Sequence, residues 1–342
     1  MTDNLTNYTL GAGAGYLSYK GVKKLGMEIK KPYSSTVMRN FSVFSKAESE
    51  ALKKATYDGF IQAGLKTKKY YLHDVKPEDV DNMVKLMKKK SFFVARKSKF
   101  FRTLNKLKKN KNVRPFNQQE QEELLKKITE HLKNNEYKKA WQEYKTIFRG
   151  KPINPATVSN KIFKSDKPTI KLTEKLKVVS KGKNAFCSPL TKDIMINMDN
   201  LGGASFHEMG HALNASGSKA LKALVFGRHI TKFFVPVILA VGLFKSKKKE
   251  GQEPNGIIDK MTTFIKNNAG KLTFAALIPT LAEEGLASIR GAQIAKKVLD
   301  PKLLKKVNKY NFLAWTTYIA SALVAAAAVK TAIMVRDKIA QH

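Results

Sequence analysis

The chain has 342 residues, enough for one large domain or two of ordinary size, and 43% of them are hydrophobic, so a packed core can form and wholesale disorder is excluded. Lysine and arginine number 64 against 27 aspartate and glutamate, and the net charge of +37 predicts attraction to anionic membranes or nucleic acid. Only 8 of these residues are arginine, the main reader of guanine edges, which disfavours sequence-specific DNA recognition. The single cysteine, Cys187, excludes an intramolecular disulfide and a cysteine-based zinc site.

Residues 1–33 form a glycine-rich and then basic lead segment, for which we predict no export signal. Asp3 stands where a signal peptide carries positive charge, and glycines interrupt the apolar run from Leu10 to Leu17. A cytoplasmic start of the chain is the expectation that follows.

Residues 34–150 are predicted to form a basic, mostly helical region, because apolar residues recur at helical spacing in its second half. Within it, the stretch from Lys85 to Arg114 holds 13 basic residues and no acidic one. Four apolar residues of this stretch share one helical face: Phe93, Phe100, Leu104 and Leu107. Three interpretations stay open, namely a solvated helix packed on its own domain, a helix on an anionic membrane, and, least favoured, a helix along nucleic acid.

The stretch from 151 to 217 changes character, with prolines, two predicted short strands and then a helix. The strands are Val178-Val179 and the alternating segment Ile194 to Met198. The helix is predicted from Leu201 to Asn214, where Ser216-Gly217 stops it.

Three apolar segments follow: Phe233 to Phe244, Leu272 to Ala282, and Phe312 to Val329. The third has 18 residues and as a helix would measure about 27 Å, close to the thickness of a hydrocarbon core. It is predicted to be a transmembrane-type helix, with a buried core helix as the alternative. The first two are too short to span alone, and they are predicted to form an apolar hairpin over 233–282, a re-entrant pair or a buried helix pair.

The chemistry is concentrated in the sequence His207-Glu208-Met209-Gly210-His211. On a helix, positions i and i+4 face the same way, so the imidazoles of His207 and His211 can bind one metal ion. Glu208 follows the first histidine and can reach a water molecule rather than the metal. Apolar neighbours and the lack of proline favour a helix here.

Two histidines need a third protein ligand if the fourth position is to stay open for water. No histidine stands where a third histidine ligand is found in extended HExxH motifs, so a carboxylate is expected. Glu283 and Glu284 lie side by side in an apolar stretch, where acids are unfavourable to bury unless paired or bound to metal.

An HExxH helix followed by Glu-x-x-Ala resembles the gluzincin metallopeptidases, and within them the membrane-embedded group of CAAX prenyl endopeptidases and the bacterial heat-shock membrane protease. The matching pieces are HExxH, Glu284 to Ala287, and Asn184-Ala185-Phe186, which resembles the Asn-Ala-Phe before the substrate-binding edge strand. The chain departs from the family at Ser288, where an aspartate is usual, and it has no convincing amino-terminal transmembrane helices.

The resemblance implies that His207, His211 and Glu284 bind Zn²⁺ and that Glu208 is the general base. It implies a substrate bound as an added strand along Ile194 to Met198, with four substrate-binding residues: Asn184, Ala185, Ile194 and Ile196. Glu283 is expected to support a ligand from outside the metal shell. The donor that stabilises the oxyanion stays open among four residues: His229, Arg290, Tyr310 and Tyr318.

The predicted fold is mainly α with a small β-sheet, with a zincin-like HExxH helix, a glutamate-bearing helix and apolar membrane-associated helices. The predicted segments are the lead 1–33, the basic region 34–150, a zinc metallopeptidase domain 151–300, and the carboxy-terminal helix 301–342. The predicted function is a membrane-associated zinc metalloendopeptidase that cleaves peptides or proteins, membrane proteins among them, with a zinc-activated water on the cytoplasmic side of an anionic membrane. The alternatives are a soluble metallopeptidase tethered to nucleic acid and an inactive basic membrane scaffold.

Overall fold

The computed structural model describes residues 9–10, 12–28, 44–87, 90, 118–134, 136–146, 170–231, 233–244 and 256–340. The fold is mainly α with one small β-sheet, as predicted. Contacts divide the chain into two compact units, Met1–Asp74 with Lys181–His342, and Val75–Ser180. The four segments predicted from composition are divisions of the sequence, and they stay a prediction.

Helices account for most of the described elements, and three short strands complete them. In chain order they are α1 (12–28), α2 (Lys46–Gln62), β1 (Tyr71–Asp74), a 3₁₀ turn (Pro77–Asp79) leading into α3 (80–87), α4 (Gln118–Lys133), α5 (Tyr137–Lys145), α6 (Ile170–Ser180), β2 (Phe186–Ser188), β3 (Asp193–Ile196), α7 (Met198–Leu201), α8 (Ala204–Ser216), α9 (Lys219–Thr231), α10 (Phe234–Phe244), α11 (Gly256–Asn267), α12 (Ala269–Val298) and α13 (Pro301–Ala340).

The sheet has the strand order β1-β3-β2, with β3 parallel to β1 and antiparallel to β2. The predicted strand at Ile194 to Met198 is therefore present in part, since β3 ends at Ile196 and Met198 begins α7. Its expected position at the sheet edge is wrong, because β3 pairs with a strand on each side. Strand β2 lies at one edge of the described sheet, directly after Asn184 and Ala185.

The predicted strand at Val178-Val179 is also wrong, because both residues lie in α6. Leu176 and Val179 are fully buried three residues apart, a spacing that places them on one side of a helix. The burial of this helical face outweighs the β preference of two adjacent valines.

The core of the first unit forms where α2, α8 and α12 meet. Phe206, Met209 and Ala212 recur every three residues on α8, and all three are fully buried. They pack against Ile294 and Ala295 of α12. Full burial of a side chain the size of Phe or Met contributes roughly 1.5–3 kcal/mol, so this stripe fixes which face of α8 points away from the core.

Helices α12 and α13 contain 30 and 40 residues, and each has a stretch long and apolar enough to cross a membrane. Their most apolar stretches have mean hydropathies of 1.3 and 1.8, and 28% of each is buried within the protein. The predicted apolar segments 272–282 and 312–329 lie inside these helices. Trp315 of α13 donates from its indole nitrogen to the Leu281 carbonyl at 3.0 Å, which ties the two helices together.

In the second unit, α4 and α5 pack against each other with Ile128 and Ala140 buried. Asn134 forms a turn directly after α4. The basic stretch with the apolar stripe predicted over 93–107 lies outside the described residues.

Candidate metal centre

The backbones of α8 and α12 approach each other at two small residues. A Cβ atom added at Gly210 would lie 2.0 Å from the Ala287 carbonyl oxygen, and one at Gly291 would lie 2.5 Å from the Phe206 carbonyl oxygen. Only glycine leaves room for backbone at these distances. This close approach brings the histidines of α8 to the glutamates of α12.

Three side-chain atoms from these helices form a small triangle. The Nε2 atoms of His207 and His211 lie 3.0 Å apart, and each lies 3.3 Å from Oε2 of Glu284. Around a tetrahedral Zn²⁺ with bonds of about 2.0 Å, ligand atoms lie about 3.3 Å apart. The triangle therefore has the size of three corners of one tetrahedral site. Its residues belong to two groups that could hold a metal ion: His207, Glu208 and His211, and His211, Glu283 and Glu284.

The outer nitrogens of both imidazoles are hydrogen-bonded, which fixes the orientation of the rings. Nδ1 of His211 lies 2.8 Å from Oε1 of Glu283 and donates to it. Nδ1 of His207 lies 3.1 Å from Oγ of Ser288, whose own hydroxyl donates to the Glu284 carbonyl. Ser288 oxygen therefore accepts the His207 proton, and when both imidazoles are neutral their Nε2 lone pairs are available to a metal.

Glu283 lies behind the triangle rather than in it. Its carboxylate is 1% exposed and contacts Nδ1 of His211, the amide of Asn214 at 3.2 Å and the guanidinium of Arg228. Burial lowers the pKa of His211, but the hydrogen bonds with Glu283 and Glu284 outweigh it and raise the pKa to about 10. A metal ion that binds here must displace the proton held by His211.

Arg228 of α9 is a site residue that the sequence analysis missed. Its Nη1 donates to Oε2 of Glu283 and, at 3.0 Å, to Oε1 of Glu284. Two buried carboxylates need a nearby cation. The position of Arg228 within the apolar stretch 223–230 is the sequence signal that could have identified it as that cation. The contact to Oε1 leaves Oε2 of Glu284 facing the histidines.

Glu208 is 8% exposed and lies close to the triangle without belonging to it. Its carboxylate and the ligand atoms of His207 and His211 all lie within 4.8 Å of one another. Burial raises the pKa of Cys187, in the middle of β2, and the negative charge of Glu208 raises it further. Strand β2 also packs against α8, the helix that carries Glu208.

The residues predicted to bind substrate fall in two different environments. Ile194 and Ile196 are fully buried on the central strand, so no added strand can pair with β3 over Asp193–Ile196, and that prediction is corrected. Asn184 is exposed and Ala185 is buried just before β2, and their predicted role stays a prediction. Among the residues considered for the oxyanion, Tyr318 of α13 interacts with the Glu284 carboxylate.

Comparison of the chain with protein-family models, with curated proteins and with solved structures finds no match. The donor set itself is two imidazole nitrogens and one carboxylate oxygen. Zinc sites of this composition keep the fourth position for water or substrate and are typical of hydrolytic enzymes. A second carboxylate beside that position, as Glu208 provides, is what proton transfer requires.

The two neighbouring glutamates give a direct test of the ligand assignment. We expect Glu284→Gln to lose the metal during gel filtration, because a neutral amide is a poor substitute for the anionic ligand. Glu283→Gln should keep the metal with about 10–100-fold weaker affinity, the usual effect of changing an outer partner of a ligand. Zinc titration against a chelating dye measures both. Equal losses in the two variants would contradict the different places assigned to these carboxylates.

Proposed function

We propose that this chain is a membrane-associated zinc metalloendopeptidase of the gluzincin type. The observation that carries the proposal is the triangle of His207, His211 and Glu284, with the Glu208 carboxylate beside its open corner. A purely structural zinc site has four protein ligands, whereas three ligands with an adjacent base are typical of hydrolytic zinc sites. The nitrogen and oxygen donors favour zinc over the ions that prefer an all-oxygen site.

The residues of the site have separate roles in the proposed reaction. Zn²⁺ would supply Lewis acidity at the open corner of the triangle. The Glu208 carboxylate accepts a proton from the attacking water and later gives it to the nitrogen of the leaving amine. Tyr318 and Arg228 both interact with the Glu284 carboxylate. Each offers a hydrogen-bond donor for the negative charge that develops on the substrate oxygen.

The proposed substrate is a peptide segment in extended conformation. Strand β2 lies at an edge of the described sheet and packs against α8, so we propose that a peptide added to this edge reaches the metal centre. Main-chain hydrogen bonds supply binding in this mode, and Asn184 and Ala185 lie at the start of the strand. We propose β2, in place of β3, as the strand that receives the substrate.

The proposed location is the membrane, with the metal site on the cytoplasmic side. Helices α12 and α13 have the length and hydropathy to cross a bilayer, and Glu283 and Glu284 directly follow the apolar stretch from Leu272 to Ala282, which places the proposed metal site at the end of that stretch. We expect the full-length chain to stay in the pellet when membranes are washed with alkaline carbonate, because its apolar helices are buried in lipid. Immunoblotting of pellet and supernatant measures this. A chain found wholly in the supernatant would contradict membrane insertion and favour a soluble enzyme.

A cleavage assay on the purified full-length chain in detergent tests the catalytic part of the proposal. Metal content is measured first by mass spectrometry, and we expect one zinc per chain. An unfolded protein such as casein then serves as the substrate, with and without a zinc chelator. We expect cleavage that the chelator abolishes and added zinc restores. Zinc binding without any cleavage of soluble or membrane-protein substrates would leave a metal-binding scaffold as the better description.

A further inference from the structure

Helix α11 packs on the protein through one narrow face only. Thr262 and Lys266 are buried, and Ile265 packs against the cluster that contains Leu243 and Ile333. At 100° per residue, these positions lie within about 100° of one another on the helix. Asp259 and Thr263 at the edge of this face are half-buried, and the other positions of α11 are exposed.

The outward circumference divides into an apolar part and a polar part. The apolar part consists of four large side chains, each more than half exposed: Ile257 at 78%, Ile258 at 70%, Met261 at 59% and Phe264 at 58%. Ile257, Met261 and Phe264 lie within an arc of about 60°, and Ile258 lies about 60° beyond it, on the side of the packed face but in the first turn of the helix. Lys260 and Asn267 are exposed on the opposite flank of the helix.

Ionic contacts hold this orientation in place. Lys266 donates to Oδ1 of Asp337 on α13 at 2.5 Å, and Arg336 donates to the same atom at 2.9 Å. Nε of Arg336 also donates to the Leu243 carbonyl at the end of α10, at 3.0 Å. Rotating α11 to hide its apolar face would break the contact made by Lys266, so the exposure of that face is part of the fold.

We propose that α11 is an interfacial membrane helix that lies along the surface of an anionic bilayer. Its apolar face enters the outer part of the hydrocarbon region, and the flank with Lys260 faces the phosphate headgroups. A helix at this depth contacts protein, acyl chains and headgroups at once. It therefore needs a packed face, an apolar face and a polar face. The inference rests on the proposed membrane association and not on peptide hydrolysis.

Neighbouring features identify lipid as the occupant of this face. Helix α10 packs against α11 and exposes Phe234, Val237 and Phe244, each by more than half. Four lysines directly follow α10 in the sequence, at Lys245 and Lys247 to Lys249, and Glu250 and Glu253 stand between them and α11. Large apolar side chains next to clustered lysines are the composition of segments that bind the interface of anionic membranes.

Site-specific fluorescence on the full-length chain tests the proposal. Single cysteines are introduced by Ile258→Cys, Met261→Cys and Lys260→Cys in a Cys187→Ala background, labelled with a polarity-sensitive dye and reconstituted in vesicles of phosphatidylcholine and phosphatidylglycerol. We expect labels at 258 and 261 to shift to the blue and to be quenched by nitroxides on the acyl chains. The label at 260 should be quenched by nitroxides on the headgroup. Circular dichroism and zinc content show that each variant is folded.

Two results would overturn the inference. Labels at 258 and 261 that aqueous iodide quenches as strongly as the label at 260 would place the apolar face in water. Labels shielded from both iodide and lipid nitroxides would show that a second copy of the chain covers it. Carbonate extraction of the same variants tests membrane association separately. If the chain stays in the pellet while positions 258 and 261 are exposed to water, only the proposed role of α11 is contradicted.

Discussion

Replacing Glu208 by glutamine is expected to lower peptide hydrolysis by ~10²-fold or more, the usual scale for losing a general base. Glutamine keeps the size of the side chain but cannot accept the proton of the attacking water. Zinc should remain bound, because the Glu208 carboxylate lies outside the triangle of His207, His211 and Glu284. Initial rates of casein cleavage and the metal content of the same samples measure the two parts of this expectation.

A matched control separates the loss of the base from a general loss of charge. Glu174 lies exposed on α6, and Glu174→Gln removes one carboxylate without touching the metal centre. It should cleave at the rate of the unmodified chain. Unchanged hydrolysis in Glu208→Gln would remove Glu208 from the mechanism, and loss of zinc in that variant would instead make it a ligand.

Substitution of Gly210 by alanine is expected to abolish stoichiometric metal binding, although Gly210 is not a ligand. The new methyl group would lie 2.0 Å from the Ala287 carbonyl oxygen, and because the clash is with backbone, no side-chain rotation relieves it. Helices α8 and α12 must separate by about 1 Å or more, and overpacking of this kind typically destabilises a fold by about 1–3 kcal/mol. The separation also carries Glu284 away from the histidines.

Gly227 of α9 provides the control for this helix–helix contact. A Cβ atom there meets nothing within 4 Å, and alanine is the better helix former by roughly 1 kcal/mol. Gly227→Ala should therefore keep its zinc and unfold at the same or a slightly higher temperature. Both variants are compared by zinc titration and by thermal unfolding followed with circular dichroism. Full metal binding in Gly210→Ala would show that the centre tolerates a wider helix separation.

The candidate metal ligands were predictable from the sequence because each obeys a local rule. His207 and His211 share a helix face through their spacing alone, and Glu283 and Glu284 stand out as acids in an apolar stretch. The choice between the two acids followed from the family resemblance. The structure places Oε2 of Glu284 at 3.3 Å from both histidines and Glu283 behind His211, while their roles in binding a metal stay a prediction.

The wrong edge position of β3 and the missed Arg228 both depend on contacts between residues far apart in the chain. Strand β1 is four residues long and pairs with β3 across about 120 residues of the chain. The sequence from Ile194 to Ile196 does not by itself indicate that a second strand pairs on that side. The alternating apolar pattern of β3 fits an edge strand and a central strand equally well. Arg228 was missed for the same reason, since its partners lie 55 and 56 positions further along.

The predicted apolar segments cover only part of α12 and α13. Hydropathy shows which part of a helix is apolar but does not show where the helix ends. Leu272 to Ala282 is 11 residues of a 30-residue helix that continues through Glu283, Glu284 and Arg290. Contacts with α8 stabilise these polar residues in helical conformation. Pro279 lies inside α12 without ending it.

The charges around Glu284 have a consequence for which ions the centre can accept. Glu208, Glu283 and Glu284 bring three negative charges, Arg228 brings one positive charge, and a divalent ion restores electroneutrality. A monovalent ion would leave the buried cluster anionic, and a trivalent ion would leave it cationic. We therefore expect this buried cluster to favour a divalent ion, and without a metal it recovers its balance with protons such as the one on His211.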